Sequence, residues 1–255
     1  MSDAASEVTE DAFLGGKLRL RQPKSGHRAG HDAMLLAAAT PACPGDRVVD
    51  FGAGVGAAGL AVATRVAGLK LVLVEIDEGL AALARANARE NRIAAETHAL
   101  DVTSGAESFA SAGLAPDSAD VVLMNPPFND ASRHRASPNK ARGIAHIAAA
   151  ETLEEWVHAG RRILRSGGNL AMIWRADGLT DVLAALGRGF GSLVILPVHA
   201  DAVSPAIRLL VRATKGGRAP TRLLAAFVLN DETNRPTPAA RAILAGERPL
   251  PLAMT

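Results

Sequence analysis

Four consecutive residues, Asn125-Pro126-Pro127-Phe128, put a side-chain acceptor, a rigid carbonyl and an aromatic face next to one another. An exocyclic amine such as that of adenine is a poor nucleophile, because its lone pair is delocalised into the ring. Two acceptors placed to receive its two N–H bonds, the Asn125 side-chain oxygen and the Pro126 carbonyl, draw the nitrogen toward a pyramidal geometry and expose the lone pair. Proline fixes φ and carries no N–H, so Pro126 and Pro127 present that carbonyl without losing it to secondary structure. Phe128 offers a face on which a flipped base stacks. The four residues form a candidate catalytic set for group transfer to a planar nitrogen. On their own they also read as a strand-ending turn with a core Phe.

The second chemical segment is Val48-Val49-Asp50-Phe51-Gly52-Ala53-Gly54-Val55-Gly56, an apolar strand running into a glycine turn. Glycines there tolerate positive φ and allow a ligand close to the backbone, beside the free N–H groups of a helix start. Gly54-Val55-Gly56-Ala57-Ala58-Gly59 satisfies a dinucleotide fingerprint, with Glu75 at the distance expected for a ribose partner. Asp50 argues against a dinucleotide. Its carboxylate falls where a pyrophosphate would sit, repelling phosphate and attracting an ammonium or sulfonium, which suits S-adenosylmethionine. Glu75 can accept from both ribose hydroxyls in a fork. Asp101, in Ala99-Leu100-Asp101-Val102, can accept from the adenine amine, although an Asp after a strand is also an ordinary helix cap.

These residues need a scaffold that brings strand ends together. Short β-branched or Leu-rich runs alternate with Ala-rich stretches of helical period, the pattern of βα units on a mostly parallel sheet. Strands are expected at Arg47 to Phe51, Lys70 to Glu75, Glu96 to Ala99, Ala119 to Met124, Asn169 to Trp174, Leu193 to Val198 and Ile207 to Ala213. Helices are expected at Ala57 to Val66, Glu78 to Asn91, Ala148 to Leu164 and Leu179 to Leu186. The connection from His199 to Ala206 is short and contains Pro205, so it reads as a hairpin that makes one strand near the C-terminus antiparallel. The fold class is α/β, a Rossmann-like doubly wound seven-stranded sheet ending as methyltransferases end it. The glycine loop and the tetrapeptide then share the carboxyl edge, where ligands bind.

Ahead of the sheet, Lys17 to Arg21 alternates like an exposed strand and Asp32 to Ala39 reads as a helix. Met1 to Asp11 is small and acidic and reads as a mobile tail without a secretory pattern. Arg235 to Thr255, with four prolines around a short helix, also reads as a tail. The division expected is 1–40 as tail and cofactor-capping segment, 41–230 as the methyltransferase domain and 231–255 as C-terminal tail. No apolar run is long enough for a membrane span. The single cysteine, Cys43, excludes an intrachain disulfide and reads as a small buried hydrophobe, in keeping with a cytoplasmic protein. His27 and His31 share helical spacing but lack a third ligand, so no metal is expected.

A formal charge of +2 is too small to imply nucleic-acid binding, so local clustering must carry that case. Asn129 to Gly143 carries Arg133, His134, Arg135, Lys140 and Arg142 among small residues and reads as a mobile lid touching phosphate. A second cluster, Arg208, Arg212, Lys215, Arg218 and Arg222, admits either phosphate contact or ordinary solvation.

On the glycine loop, the tetrapeptide, the segment Leu14 to Lys24 and Arg28-Ala29-Gly30-His31-Asp32-Ala33, the chain resembles class I S-adenosylmethionine-dependent methyltransferases. It is most similar to the bacterial tRNA adenine-N(6) enzymes and their methyltransferase small domain relatives. The resemblance covers about residues 13–245. It implies methyl transfer to an adenine amine in RNA, with tRNA the leading substrate. It also implies that Gly30 and Asp32 help close over the cofactor, Asp32 toward its methionine end. The cofactor set is then Asp50, Gly52, Ala53, Gly54, Gly56, Glu75, Ile76, Asp101, Val102, Asn125, Gly30 and Asp32, with Arg133, Arg135, Lys140 and Arg142 on RNA. Phe128 stands where many relatives carry Tyr, and His31 where a smaller residue is usual. A protein glutamine methyltransferase would use the same tetrapeptide, but its relatives carry a helical domain ahead of the glycine loop. A catalytically inactive module binding cofactor and nucleic acid is the remaining alternative.

Overall fold

The computed structural model describes residues 8–24, 28–127 and 138–254, the side chains of 138–148 excepted. The chain opens with an antiparallel hairpin of β1 (Val8–Phe13) and β2 (Leu18–Pro23), joined by a 3-10 turn over Leu14–Gly16. Leu18 and Leu20 are fully buried while Arg19 and Arg21 point outward, the period of a half-covered strand. Val8 to Asp11 therefore belongs to a strand and not to a tail. The acidic residues that gave it a tail's composition are engaged: Asp11 accepts from Gln22 (2.7 Å) and from Arg28 (2.7 Å).

Helix α1 (His31–Ala39) leads into the main sheet, built from β3 (Arg47–Phe51), α2 (Ala57–Arg65), β4 (Lys70–Glu75), α3 (Glu78–Glu90), β5 (Ala95–Ala99), α4 (Ala106–Ser111) and β6 (Ala119–Met124). It continues through α5 (Pro138–Ile163), β7 (Leu164–Arg175), α6 (Leu179–Leu186), β8 (Phe190–His199), β9 (Ala206–Lys215), the two-residue strands β10 (Arg222–Leu223) and β11 (Phe227–Val228), and α7 (Pro238–Leu244). The strand order is β10-β8-β9-β7-β6-β3-β4-β5, with β11 also on β8. All pairs are parallel except those of β9, which runs antiparallel to both β7 and β8. Strands β3 to β9 are the seven expected and β9 is the antiparallel one; β10 and β11 extend the edge beyond them.

Both faces of the sheet are covered, which is why its central strands read as unbroken apolar runs. Val48, Leu71, Leu73, Val121 and Leu123 face α1, α2 and α3, and the alternating Val49, Phe51, Val72, Val74, Val122 and Met124 face α4, α5 and α6. The basic run after the tetrapeptide is not a loop throughout. Residues 138–143 are helical, with Pro138 at the first helical position, where its missing N–H costs nothing.

The C-terminal segment is likewise packed. Ala240, Ile243, Leu250 and Leu252 are buried against the α1 side of the sheet, and the Leu250 N–H donates to the Ala38 carbonyl (2.8 Å). Its prolines punctuate the chain without freeing it. Cys43 is exposed, its N–H donating to Asp46 (2.8 Å), so it is not the buried hydrophobe expected. Among the described residues no helix is long and apolar enough to cross a membrane.

Candidate active site at the carboxyl edge of the sheet

Sheet register assembles the site. Phe51 lies opposite Val74 on one side and Met124 on the other. The next residues of these strands, Gly52, Glu75 and Asn125, therefore stand side by side at the sheet's carboxyl edge, Glu75 still paired with Ala99 of β5, adjacent strands being about 4.8 Å apart. Asp101 follows β5, beyond the Glu75–Ala99 pair.

The glycine loop is held from below. Gly52 has φ +64°, and a Cβ there would meet Trp156 Cη2 of α5 at 2.4 Å, so the loop rests on the indole. The Ala53 N–H donates to the Val74 carbonyl (2.9 Å) and the Gly56 N–H to the Ala53 carbonyl (2.8 Å). Gly54 also has positive φ, but a Cβ there meets nothing within 4 Å: its outer side faces open space. Gly59 serves packing. A Cβ would strike Leu73 at 2.7 Å, and its N–H donates to Asp50 Oδ2 (2.8 Å).

Asp50 is almost fully buried at the end of β3. Burial pushes its carboxyl up to about 7 against the pull of the Gly59 N–H, and the nearby Glu75 charge adds to the rise. Glu75 is buried too, not a solvated strand-end charge. Its Oε2 accepts from the Gly54 N–H (2.7 Å) and its Oε1 from the Asp77 N–H (3.0 Å). A carboxylate has about four acceptor positions, so Glu75 orders the loop and keeps capacity for further donors. Beside it, Ile76 is 65% exposed, a large apolar side chain presented at the rim.

Asn125 is the most telling residue. Its Oδ1 is buried and finds no hydrogen-bond donor among the described residues. An unsatisfied buried amide oxygen costs about 1–3 kcal/mol, and a donor arriving with a ligand removes that cost. Pro126 is buried behind it and Pro127 is exposed. Phe128, Arg133 and Arg135 lie outside the described residues, as do the side chains of Lys140 and Arg142 at the start of α5.

Other expected residues sit differently. Asp101 Oδ1 accepts from the Thr103 N–H and hydroxyl, both at 2.8 Å, an Asx-turn after β5 and not a helix cap, since the N-cap of α4 is Gly105. Val102 is buried in the core beside Phe109. Asp32, in the first turn of α1 behind the N-cap Gly30, accepts from Arg208 Nε of β9 (2.9 Å). Arg212 and Lys215 hold the fold: Arg212 donates to the Leu252 carbonyl (2.8 Å), and Lys215 to Asp117 (2.8 Å). Three buried residues that support the site carry no sequence motif for that role: Trp156, Gln22 and Asn87. The available signal was polarity on an apolar stripe, since Asn87 falls on the buried face of α3 with Asn91 four residues later.

The methyltransferase small domain family model matches residues 28–196. The chain is similar to the tRNA1(Val) (adenine(37)-N6)-methyltransferase of Pedobacter heparinus, 27% identical over 79% of this chain and 83% of that protein. It is 28% identical to the Porphyromonas gingivalis protein of the same name, over 68% of each. A solved structure described as a predicted O-methyltransferase from Agrobacterium tumefaciens matches with TM-score 0.70 and 31% identity, over 86% of this chain and 98% of that one. A 16S rRNA N2 methyltransferase of T. thermophilus, solved with AdoMet and guanosine, shares the fold at TM-score 0.56 and 18% identity, over 82% of this chain and 50% of that one. With a parallel sheet closed by one antiparallel strand, and with a glycine loop and Asn125-Pro126-Pro127 at its carboxyl edge, the chain belongs to the methyltransferase small domain family.

Proposed function

We propose that the protein transfers a methyl group from S-adenosylmethionine to the exocyclic amine of an adenine in RNA, with tRNA as the substrate class. The observation that carries this reading is the buried Asn125 Oδ1, which has no donor among the described residues and stands one strand from the glycine loop. The names of the curated relatives support the adenine and the tRNA, and a cytoplasmic location goes with that substrate.

The rim fits the cofactor in three respects: open space over Gly54, an exposed Ile76 for an adenine face, and Glu75 with acceptor capacity for ribose hydroxyls. Asp50, and Asp32 at the α1 start, are the anions available to the cationic end. When bound, S-adenosylmethionine supplies an electrophilic methyl on a sulfonium. In this reading residues 41–230 carry the chemistry and the segment before them caps the cofactor. Asn125 Oδ1 and the Pro126 carbonyl accept the two N–H bonds of the amine and hold its lone pair toward the methyl. Phe128 stacks on the base, and Arg133, Arg135, Lys140 and Arg142 meet phosphates. The N–C bond forms as the S–C bond breaks, and the amine's surplus proton leaves to solvent.

The test is transfer of labelled methyl to unmodified tRNA, followed by digestion to nucleosides. N6-methyladenosine is expected. A label confined to 2′-O-methylated nucleosides would replace the amine with a hydroxyl acceptor. Label in glutamine of co-incubated protein, or cofactor binding with no transfer, would move the assignment to the other two readings.

A further inference from the structure

Asn87 is fully buried in α3, yet every hydrogen-bonding group of its side chain is directed at main chain. Its Nδ2 donates to the Val55 carbonyl (2.9 Å), in the middle of the glycine loop, and to the Arg21 carbonyl of β2 (3.0 Å). Its Oδ1 accepts from the Arg21 N–H (2.8 Å). One amide therefore completes a strand-like pair with Arg21 and also pins the loop that carries Gly54 and Gly56.

The connection does not stop at β2. Gln22, next to Arg21 and buried, accepts the Ala29 N–H on its Oε1 (2.9 Å) and donates from Nε2 to Asp11 (2.7 Å). Arg28 reaches the same Asp11 oxygen (2.7 Å) and the Pro23 carbonyl (2.7 Å). Ala29 precedes Gly30, the N-cap of α1, so the path runs unbroken from glycine loop to Asn87, β2, Gln22 and the start of the capping helix. Four residues on, Asn91 makes the same kind of clasp with Arg19, accepting its N–H (2.9 Å) and donating to its carbonyl (2.6 Å). Its Nδ2 also donates to the Asn87 carbonyl one helical turn back (2.8 Å), and among the described residues its side chain makes no hydrogen bond to the glycine loop.

We infer that Asn87 is a positioning residue for the cofactor: it fixes the Val55 carbonyl inward and ties the loop to the N-terminal hairpin, so the hairpin helps set cofactor affinity. This rests on the reading that the loop holds S-adenosylmethionine. Val55 sits between two positive-φ glycines, the part of the backbone with the widest choice of conformations once its carbonyl is released. A loop that must be ordered at the moment of binding binds more weakly. Chemistry at Asn125, on another strand, is untouched once the cofactor is seated.

The experiment compares Asn87→Ala with Asn91→Ala by calorimetric titration of the full-length protein with S-adenosylmethionine, together with steady-state methylation of tRNA. Asn87→Ala is expected to raise the Kd about tenfold, with KM following and kcat at saturating cofactor within about twofold. Asn91→Ala, which loosens the hairpin but leaves the Asn87 side chain and its bond to Val55 in place, is expected to leave the Kd within about twofold. Should Asn87→Ala not fold, Asn87→Ser, which keeps one donor, gives the same comparison. Equal weakening by the Asn87 and Asn91 substitutions overturns the inference, since general loosening then suffices, as does an unchanged Kd in the Asn87 variants. Failure of the unsubstituted protein to bind S-adenosylmethionine overturns the cofactor reading itself, and this inference with it.

Discussion

A carboxyl group sealed from water and placed near a second carboxylate keeps its proton to near neutrality, and Asp50 is such a group. Between its ordinary value of 3.8 and about 7, the folded chain holds a proton that the unfolded chain has lost. This contribution to stability is complete below that window and is lost as pH rises through it. Asp50→Asn removes the charge without changing the shape. The variant should melt above the unsubstituted protein at about pH 8 and converge with it toward about pH 4, a difference of a few kcal/mol at most, read by thermal unfolding across that range. It should also bind S-adenosylmethionine less tightly, because it offers no anion to the cation. Asn125 makes a separate test. Asn125→Ala should lower kcat about a hundredfold while the cofactor Kd stays within about threefold, as for removal of a group that meets only the reacting nitrogen. Loss of both together would mean that Asn125 supports the loop instead.

Among the elements, the loop between β3 and α2 is the least tolerant of change. Gly52→Ala has to place a Cβ on the Trp156 indole while holding φ at +64°. A cost above about 2 kcal/mol is expected, part of it recovered by Trp156→Leu in the same chain, with urea midpoints as the measurement. Loops of this kind are readable because a positive φ beside a close-packed indole favours glycine, which has no Cβ. The strands Arg47–Phe51, Lys70–Glu75 and Ala119–Met124 were equally readable, being apolar on both faces. Val8–Phe13 was not, since its pairing is made by main chain and its middle, Thr9-Glu10-Asp11, is polar. The Asp32–Arg208 contact spans 176 positions, and no local pattern announces it. The lack of a donor for Asn125 Oδ1 among the described residues is a property of packing, visible only once neighbours are in place.

At the scale of the molecule, the two ends of the chain meet on α1. The Lys17 ammonium donates to the Ala245 and Gly246 carbonyls (3.3 and 3.2 Å), while Leu250 and Leu252 pack on the same side. Leu252→Ala should cost about 2–5 kcal/mol and, because α1 carries Asp32, raise the cofactor Kd as well; denaturant unfolding and calorimetry read the two effects. A stable protein with unchanged Kd would confine the C-terminal segment to surface cover. The order of strands has a further consequence for how the molecule is made. Strand β9 lies between β7 and β8, although it is synthesised after both. Until residue 215 has emerged from the ribosome, β7 offers a bare apolar edge and β8 has no neighbour to dock against. The newborn chain spends that interval half-built, and β9 arrives as a wedge between partners already waiting.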